Sequence, residues 1–341
     1  MEQAIRSELV ELSQQLLEDG LVVRTWGNMS RRVPGDKFVI TPSGRRYETM
    51  LPEDLSLVDY AGEWTGPYKP SSEHPMHALV YRDFPTAQCV VHTHQAYASA
   101  LSLDTAPAIK LNAAQAELLG QDVIPIADYG LPSTKTLHRN VEKALQEYGV
   151  RVMLLKAHGA IMWAESGEEA RRLGNALEQI CEELYRDRLY QLLPLPGEAV
   201  HSTRDGQWVN DAGEEVEPSS ATRVNHQRIY AERPDVNAVV TCLDPEIRDF
   251  LGGELQPYLD DFAQLAGVRA DSTTKHNAVL TNKVAYCLGG TMSDAQATRI
   301  VLEKNARAAR YGRAHKAKPI KYLERVLMNQ IYRRKYSKQA S

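Results

Sequence analysis

The chain has 341 residues, 43% hydrophobic and 25% charged, the composition of a globular protein long enough for two domains with their own cores. A formal net charge of −4 offers no basic field for nucleic acid or for an anionic membrane surface. Cys89, Cys181, Cys242 and Cys287 stand far apart without a CxxC pattern. They are expected to be reduced core residues, and with no leader-like N-terminus and no bilayer-length apolar run the expected compartment is the cytoplasm.

Ile5, Leu9, Leu12 and Leu16 recur at helical spacing ahead of Gly20, which predicts an amphipathic opening helix. Next come a polar turn from Arg24 to Ser30, a short strand from Lys37 to Ile40, and a second turn, Thr41-Pro42-Ser43-Gly44. Backbone N–H groups and hydroxyls in such turns can wrap an anion; plain hairpin turns share the composition. Leu57-Val58-Asp59 and Gly62-Glu63-Trp64 predict a hairpin. After Pro70-Ser71-Ser72-Glu73 a helix is expected to bury Met76, Leu79 and Val80 and to end near Pro85.

Val90-Val91-His92-Thr93-His94 follows. On a strand, residues i and i+2 share a face, so both imidazoles point into one place. Half-buried histidines at strand ends are often mere hydrogen-bonders, so the pair alone proves little. Glu73 upstream and Lys156-Ala157-His158-Gly159 downstream complete a set of three imidazoles and a carboxylate. That set suits zinc, with manganese, cobalt or iron as alternatives. Between these points the pattern predicts helices over 113–119 and 134–148 and strands over 123–126 and 153–155, the last carrying His158. Ser166 and Glu169 form a capping box for a long helix through Ala170, Leu173, Leu177, Ile180 and Leu184. Alternating strands and helices argue for a sheet covered by helices. Residues 191–208, with Pro194, Pro196, Gly197 and Gly206, are expected to be a linker.

The second half repeats the first in order. Val209 to Glu214 and Pro218-Ser219-Ser220 parallel Val58 to Glu63 and Pro70-Ser71-Ser72, while His226, Tyr230 and Pro234 track His77, Tyr81 and Pro85. In this copy Ala221 replaces Glu73, Thr241 replaces His92 and Leu243 replaces His94. Local similarity would match His276 to His158, but counting back from a helix cap at Ser293 and Gln296 puts the equivalent near Ala285, so His276 is not expected to be a ligand. The basic tail from Arg313 to Lys338 carries Leu323, Val326, Leu327 and Ile331 at helical spacing, which predicts a helix packed on its own domain with solvated charges.

With Gly27-Asn28-Met29-Ser30, Thr41-Pro42-Ser43-Gly44, Ser71-Ser72-Glu73, His92-Thr93-His94 and His158-Gly159 in order, the first half resembles the class II aldolase, ribulose-phosphate epimerase and adducin family. The resemblance implies an α/β, three-layer αβα fold with a central sheet between helix layers, here duplicated. Residues 1–195 would be the catalytic domain and 196–341 a degenerate copy without ligands. It implies that His92, His94 and His158 hold a divalent metal, most readily Zn2+, that Glu73 is catalytic, and that Gly27, Asn28, Thr41, Ser43, Gly44, Ser71 and Ser72 hold a phosphate. Retro-aldol cleavage of a ketose 1-phosphate to dihydroxyacetone phosphate and an aldehyde is the implied activity. Dehydration, decarboxylation or epimerisation on the same scaffold, or an adducin-like binding role, are the alternatives. The segment Lys110-Leu111-Asn112 lacks the tyrosine acid of the family's aldolases, and Gln115 stands near the place of the epimerases' aspartate; Tyr129 is left as a candidate acid. The family's cyclic tetramer implies a homodimer of this two-domain chain, with a sugar phosphate as its small-molecule partner.

Overall fold

The computed structural model describes residues 2–335. They form two compact units, residues 2–188 and 189–334. In the first, Glu2–Glu18 (α1) buries Leu9, Leu12 and Leu16 and stops at Gly20, whose φ of +72° suits glycine. Asn28–Val33 (β1), Lys37–Ile40 (β2), Ser56–Asp59 (β3) and Trp64–Thr65 (β4) make an antiparallel meander. His74–Asp83 (α2) leads into Cys89–Thr93 (β5). Ala96–Leu101 (α3), Ala108–Lys110 (β6), Ala113–Leu119 (α4), Val123–Ala127 (β7), Lys135–Tyr148 (α5), Val152–Leu155 (β8), Gly159–Ala164 (β9) and Gly167–Arg188 (α6) complete the unit.

The strands lie in the order β4-β3-β2-β1-β5-β9-β8-β7-β6, and among them only β7 and β8 run parallel. Because side chains alternate across a strand, Val90 and His92 share one face of β5 and Val91 takes the other. On the Val90 face, Met76, Val80 and Tyr81 of α2 and Leu137, Val141 and Leu145 of α5 pack with Phe38, Met153, Leu155, Ile161 and Trp163. On the opposite face lie α1, α3 and α6, with α4 against α6. The αβα layering expected from the resemblance is therefore present. Ser166 caps α6 as expected, its Oγ accepting from Glu169 N at 3.1 Å.

Several strands escaped the sequence pattern: the turn expected over residues 24–30 gives way at Asn28 to β1, whose polar residues hid it, and β6 at the sheet edge was not anticipated. No strand is predicted after His158, yet residues 159–164 form β9 at the centre of the sheet; it is buried on both faces, so its apolar run shows no alternation. The expected linker also contains a strand, Val200–Thr203 (β10), the start of the second sheet. The remaining elements of the second unit are Trp208–Asn210 (β11), Ser220–Glu232 (α7), Ala238–Cys242 (β12), Asp260–Leu265 (α8), Ala278–Leu280 (β13), Ala285–Gly289 (β14), Met292–Ala314 (α9) and Tyr322–Lys335 (α10). Its sheet order, β11-β10-β12-β14-β13, is antiparallel throughout. That is the order and sense of β2-β1-β5-β9-β8.

Thr291, not Ser293, caps α9: its Oγ1 accepts from Asp294 N at 3.1 Å. The tail helix also differs from expectation. Leu323, Leu327 and Ile331 of α10 are exposed while Arg325 and Met328 are buried, because the Arg325 guanidinium donates to Ile320 O and to Gln256 Oε1. The part of the basic tail from residue 336 onward lies outside the described residues. All four cysteines are buried and free, and no helix among the described residues is long and apolar enough to cross a membrane.

Gly159 opens β9 where the chain presses on β5. A Cβ there would stand 2.1 Å from the Thr93 carbonyl oxygen and 3.3 Å from His94 Cα. Gly159→Ala should therefore destabilise the protein by about 1–3 kcal/mol, read as a lower denaturant midpoint; an unchanged midpoint would show that the two strands can part at no cost.

Candidate metal centre

Strand pairing decides where the imidazoles go. Asn28 of β1 and Ile161 of β9 flank His92 on its two sides, and His92 Nδ1 lies 2.8 Å from Ala160 O. A carbonyl only accepts, so Nδ1 carries the proton and the Nε2 lone pair faces the site. His94 stands one residue past the end of β5 and brings its Nε2 to 3.0 Å from that of His92. His158 reaches the same point from the tight β8–β9 turn, in which its N–H donates to Leu155 O at 3.0 Å. Ala157 in that turn adopts φ +59°, held by its N–H to Ser102 Oγ at 3.1 Å. The His158 and His92 Nε2 atoms are 2.9 Å apart. All three donor nitrogens lie within 4.8 Å of one another, on residues 0%, 6% and 2% exposed for His92, His94 and His158.

Glu73, the residue before α2, completes the cluster. Its Oε2 is 3.3 Å from His92 Nε2 and its Oε1 3.3 Å from His158 Nε2. Burial by itself would raise the Glu73 carboxyl, but His92, His158 and His94 outweigh it and hold the group well below the usual range. Glu73 is thus a carboxylate at neutral pH. Imidazole lone pairs and a carboxylate converging at about 3 Å in a buried pocket repel unless a cation lies among them. The donor set fits a divalent metal ion.

The anion-binding candidates are brought together in part. A bridge pairs Pro42 with Pro70, Ser71 N donates to Thr41 O at 3.2 Å and Ser43 N to Lys69 O at 2.9 Å, so the Thr41–Gly44 turn lies against the segment leading to Glu73. Gly27 and Gly44 have φ of +89° and +73°. The hydroxyls are engaged with the protein: Thr41 Oγ1 accepts from Met29 N at 3.2 Å, Ser71 Oγ from Glu73 N at 3.3 Å, and Ser72 Oγ meets Ser133 Oγ at 2.7 Å. The Asn28 amide is turned to Glu73, with Nδ2 donating to Oε2 at 3.1 Å.

One residue escaped the sequence reading. His77 lies on the first turn of α2 with Nε2 2.6 Å from Asn28 Oδ1 and Nδ1 2.7 Å from Ser30 Oγ. Burial, with His92 adding to it, pushes its pKa down to about 3, so it stays neutral. Its signal was available: His226 and Tyr230 repeat the spacing of His77 and Tyr81 in a half of the chain without the His-x-His pair.

In the second unit Ser202 pairs with Val239, and Ser30 with Val90, in matching registers. The same registers place Val200 where Asn28 stands, Thr241 where His92 stands and Lys283 where His158 stands. The earlier count to Ala285 was two residues long because the cap is Thr291. Counting back four residues from His226 likewise reaches Thr222, not Ala221, for Glu73.

A model of the Class II Aldolase and Adducin N-terminal domain matches residues 7–185. The 5-methylthioribulose-1-phosphate/5-deoxyribulose-1-phosphate aldolase of Rhodospirillum rubrum is 33% identical over 183 residues, 54% of this chain and 81% of that protein. The 3-oxo-tetronate 4-phosphate decarboxylase of Pectobacterium atrosepticum is 30% identical over 185 residues, 53% of this chain and 82% of that protein. The crystal structure of YgbL from Klebsiella pneumoniae matches with a TM-score of 0.51 at 26% identity, covering 56% of this chain and 93% of that one. A family match spanning more than half of the chain, on the unit that carries the three histidines and Glu73, places this protein in the class II aldolase and adducin family.

Proposed function

We propose that the first unit is a metal-dependent carbon–carbon lyase that cleaves a ketose 1-phosphate by a retro-aldol reaction. The observation that carries this reading is the convergence of the His92, His94 and His158 Nε2 atoms with the Glu73 carboxylate beside hydroxyl-rich turns. The ketose 1-phosphates in the name of the Rhodospirillum rubrum relative support the substrate class. His92, His94 and His158 would hold one divalent ion, zinc by donor type, with manganese, cobalt or iron as alternatives. Bound there, the ion supplies Lewis acidity toward a carbonyl and its neighbouring hydroxyl.

Cleavage removes the proton of the C4 hydroxyl and converts that carbon to an aldehyde as the C3–C4 bond breaks. The electron pair stays on C3 and takes up a proton to give dihydroxyacetone phosphate. Glu73, ionised and held by Asn28, is the proposed base that takes up the C4 hydroxyl proton and returns a proton to C3, so that no net proton is gained or lost. Tyr129, half-buried in the loop after β7, is the candidate acid for the same oxygen in the reverse, bond-forming direction. The hydroxyls of Thr41, Ser43, Ser71 and Ser72, with the turns at Gly27-Asn28 and Gly44, are the proposed phosphate-holding groups. The decarboxylase name of the second relative supports an alternative, loss of CO2 from a phosphorylated oxo acid on the same donors. The second unit is proposed to be a decayed, catalytically silent copy, a reading supported by the repeated strand order and by Val200, Thr241, Leu243 and Lys283 at the positions of the site residues.

Elemental analysis should find about one divalent ion per chain. His94→Ala should lose it, and affinity should fall on acidification because a proton competes for each lone pair; unchanged metal content in that variant would remove the reading. On a panel of ketose 1-phosphates the metal-loaded protein should release dihydroxyacetone phosphate, and Glu73→Gln should slow turnover roughly a hundredfold while keeping the metal. Release of CO2 from phosphorylated oxo acids, with no ketose cleaved, would select the decarboxylase. The mass in solution should be that of two chains; a monomer would end the homodimer proposal.

A further inference from the structure

We infer that Asn28 and His77 are positioning residues for Glu73: Asn28 holds the carboxylate, and His77 fixes which way the Asn28 amide faces. The catalytic consequence rests on the proposed role of Glu73; the geometry does not. A carboxylate can only accept, so the Asn28 group facing Glu73 Oε2 at 3.1 Å is the NH2. Oδ1 is then left for His77, whose Nε2 at 2.6 Å must carry the proton. That tautomer leaves His77 Nδ1 to accept the Ser30 hydroxyl proton at 2.7 Å, and Ser30 Oγ to accept from Tyr81 OH at 2.8 Å. One carboxylate therefore sets the protons of four buried partners, and none of them is exposed to water that could substitute.

The converse tautomer of His77 would aim a lone pair at Oδ1 across 2.6 Å. The amide would swing its oxygen toward Glu73 to escape, and two acceptors would then face each other. β1 cannot retreat to relieve this. A Cβ at Gly27, the residue before Asn28, would sit 2.7 Å from His92 O, so the two strands are pressed together at that point.

The second unit separates structural from positioning duties. Its trio is the same: Ser202 Oγ lies 2.7 Å from His226 Nδ1 and 2.9 Å from Tyr230 OH. Val200 stands at the Asn28 position, so His226 Nε2 meets Thr241 Oγ1 at 3.3 Å, and no amide or carboxylate follows. The trio persists where no site exists, and is therefore a packing device of the fold. The link through Asn28 to Glu73 is what the first unit adds.

The test uses the metal-free full-length protein labelled with 15N in histidine and asparagine, and the metal-loaded protein for turnover. His77 should show the Nε2–H tautomer, and the Asn28 NH2 should be slow to exchange with solvent. In His77→Leu, Asn28 NH2 exchange should quicken at least about tenfold, and turnover should fall roughly tenfold to a hundredfold with the metal retained. His77→Gln, whose amide can donate to Asn28 and accept from Ser30, should restore both to within a few-fold. His226→Leu removes the twin packing trio and should change neither. Should His77→Leu fail to fold, Asn28→Leu removes the amide between the two groups, so His77 loses the acceptor that fixes its Nε2–H tautomer, visible in its 15N shifts, and turnover should fall with the metal retained. Wild-type exchange and turnover in His77→Leu, equal loss of turnover in His226→Leu, or an unchanged His77 spectrum in Asn28→Leu would each overturn the inference. If the wild-type protein cleaves no ketose 1-phosphate, the functional proposal fails and the exchange and tautomer measurements alone decide the positioning role.

Discussion

Everything at the candidate metal centre depends on how closely β5 is held between β1 and β9. The two neighbours meet it through glycines that leave no room for a side chain: Gly27 against the carbonyl of His92 and Gly159 against that of Thr93. Backbone pairing at this closeness fixes His92 by both edges, with Asn28 across one and Ile161 across the other. It also carries His158 on the turn into β9, so a ligand from far along the sequence arrives within 3 Å of His92 Nε2. A longer turn or a looser strand would spread the donors, and a metal site tolerates little spread.

Once the donors converge, electrostatics governs the rest. A carboxylate this buried costs several kcal/mol unless charges and hydrogen bonds offset it: the three histidines lower the Glu73 carboxyl when they carry protons, a bound cation would do so in their place, and an amide whose orientation is settled by a neutral histidine supplies the hydrogen bond. His77 suits this task because burial holds it neutral; a cationic group there would donate from both nitrogens and break the order of protons back to Tyr81.

The second unit shows which parts of this arrangement belong to the fold. Strand order, pairing sense and the Ser–His–Tyr trio recur, while Val200, Thr241, Leu243 and Lys283 stand where a site would need an amide and imidazoles. Packing requires volume and satisfied hydrogen bonds, and valine or leucine meets the first demand at those places as well as the originals do. The chemistry requires particular atoms. The same sheet can therefore be built with or without those atoms.

The sequence alone determined the local parts and the ligand types. Helical spacing located α1, α4, α5 and α6, glycine marked where helices stop, and the His-x-His pair on β-branched residues placed two imidazoles on one face before any tertiary contact was known. These are properties of neighbours along the chain. Tertiary structure alone decided the matters of distance across it. β9, buried on both faces, showed no alternation to betray it, and β10 lay hidden in a segment rich in Pro and Gly. Arg325 took the buried side of α10 because backbone carbonyls and Gln256 await its guanidinium. His77 looked like one more residue of an amphipathic helix. Its meaning comes from Asn28, 49 positions away, and only the pairing of β1 with β5, under α2, brings the two within a hydrogen bond.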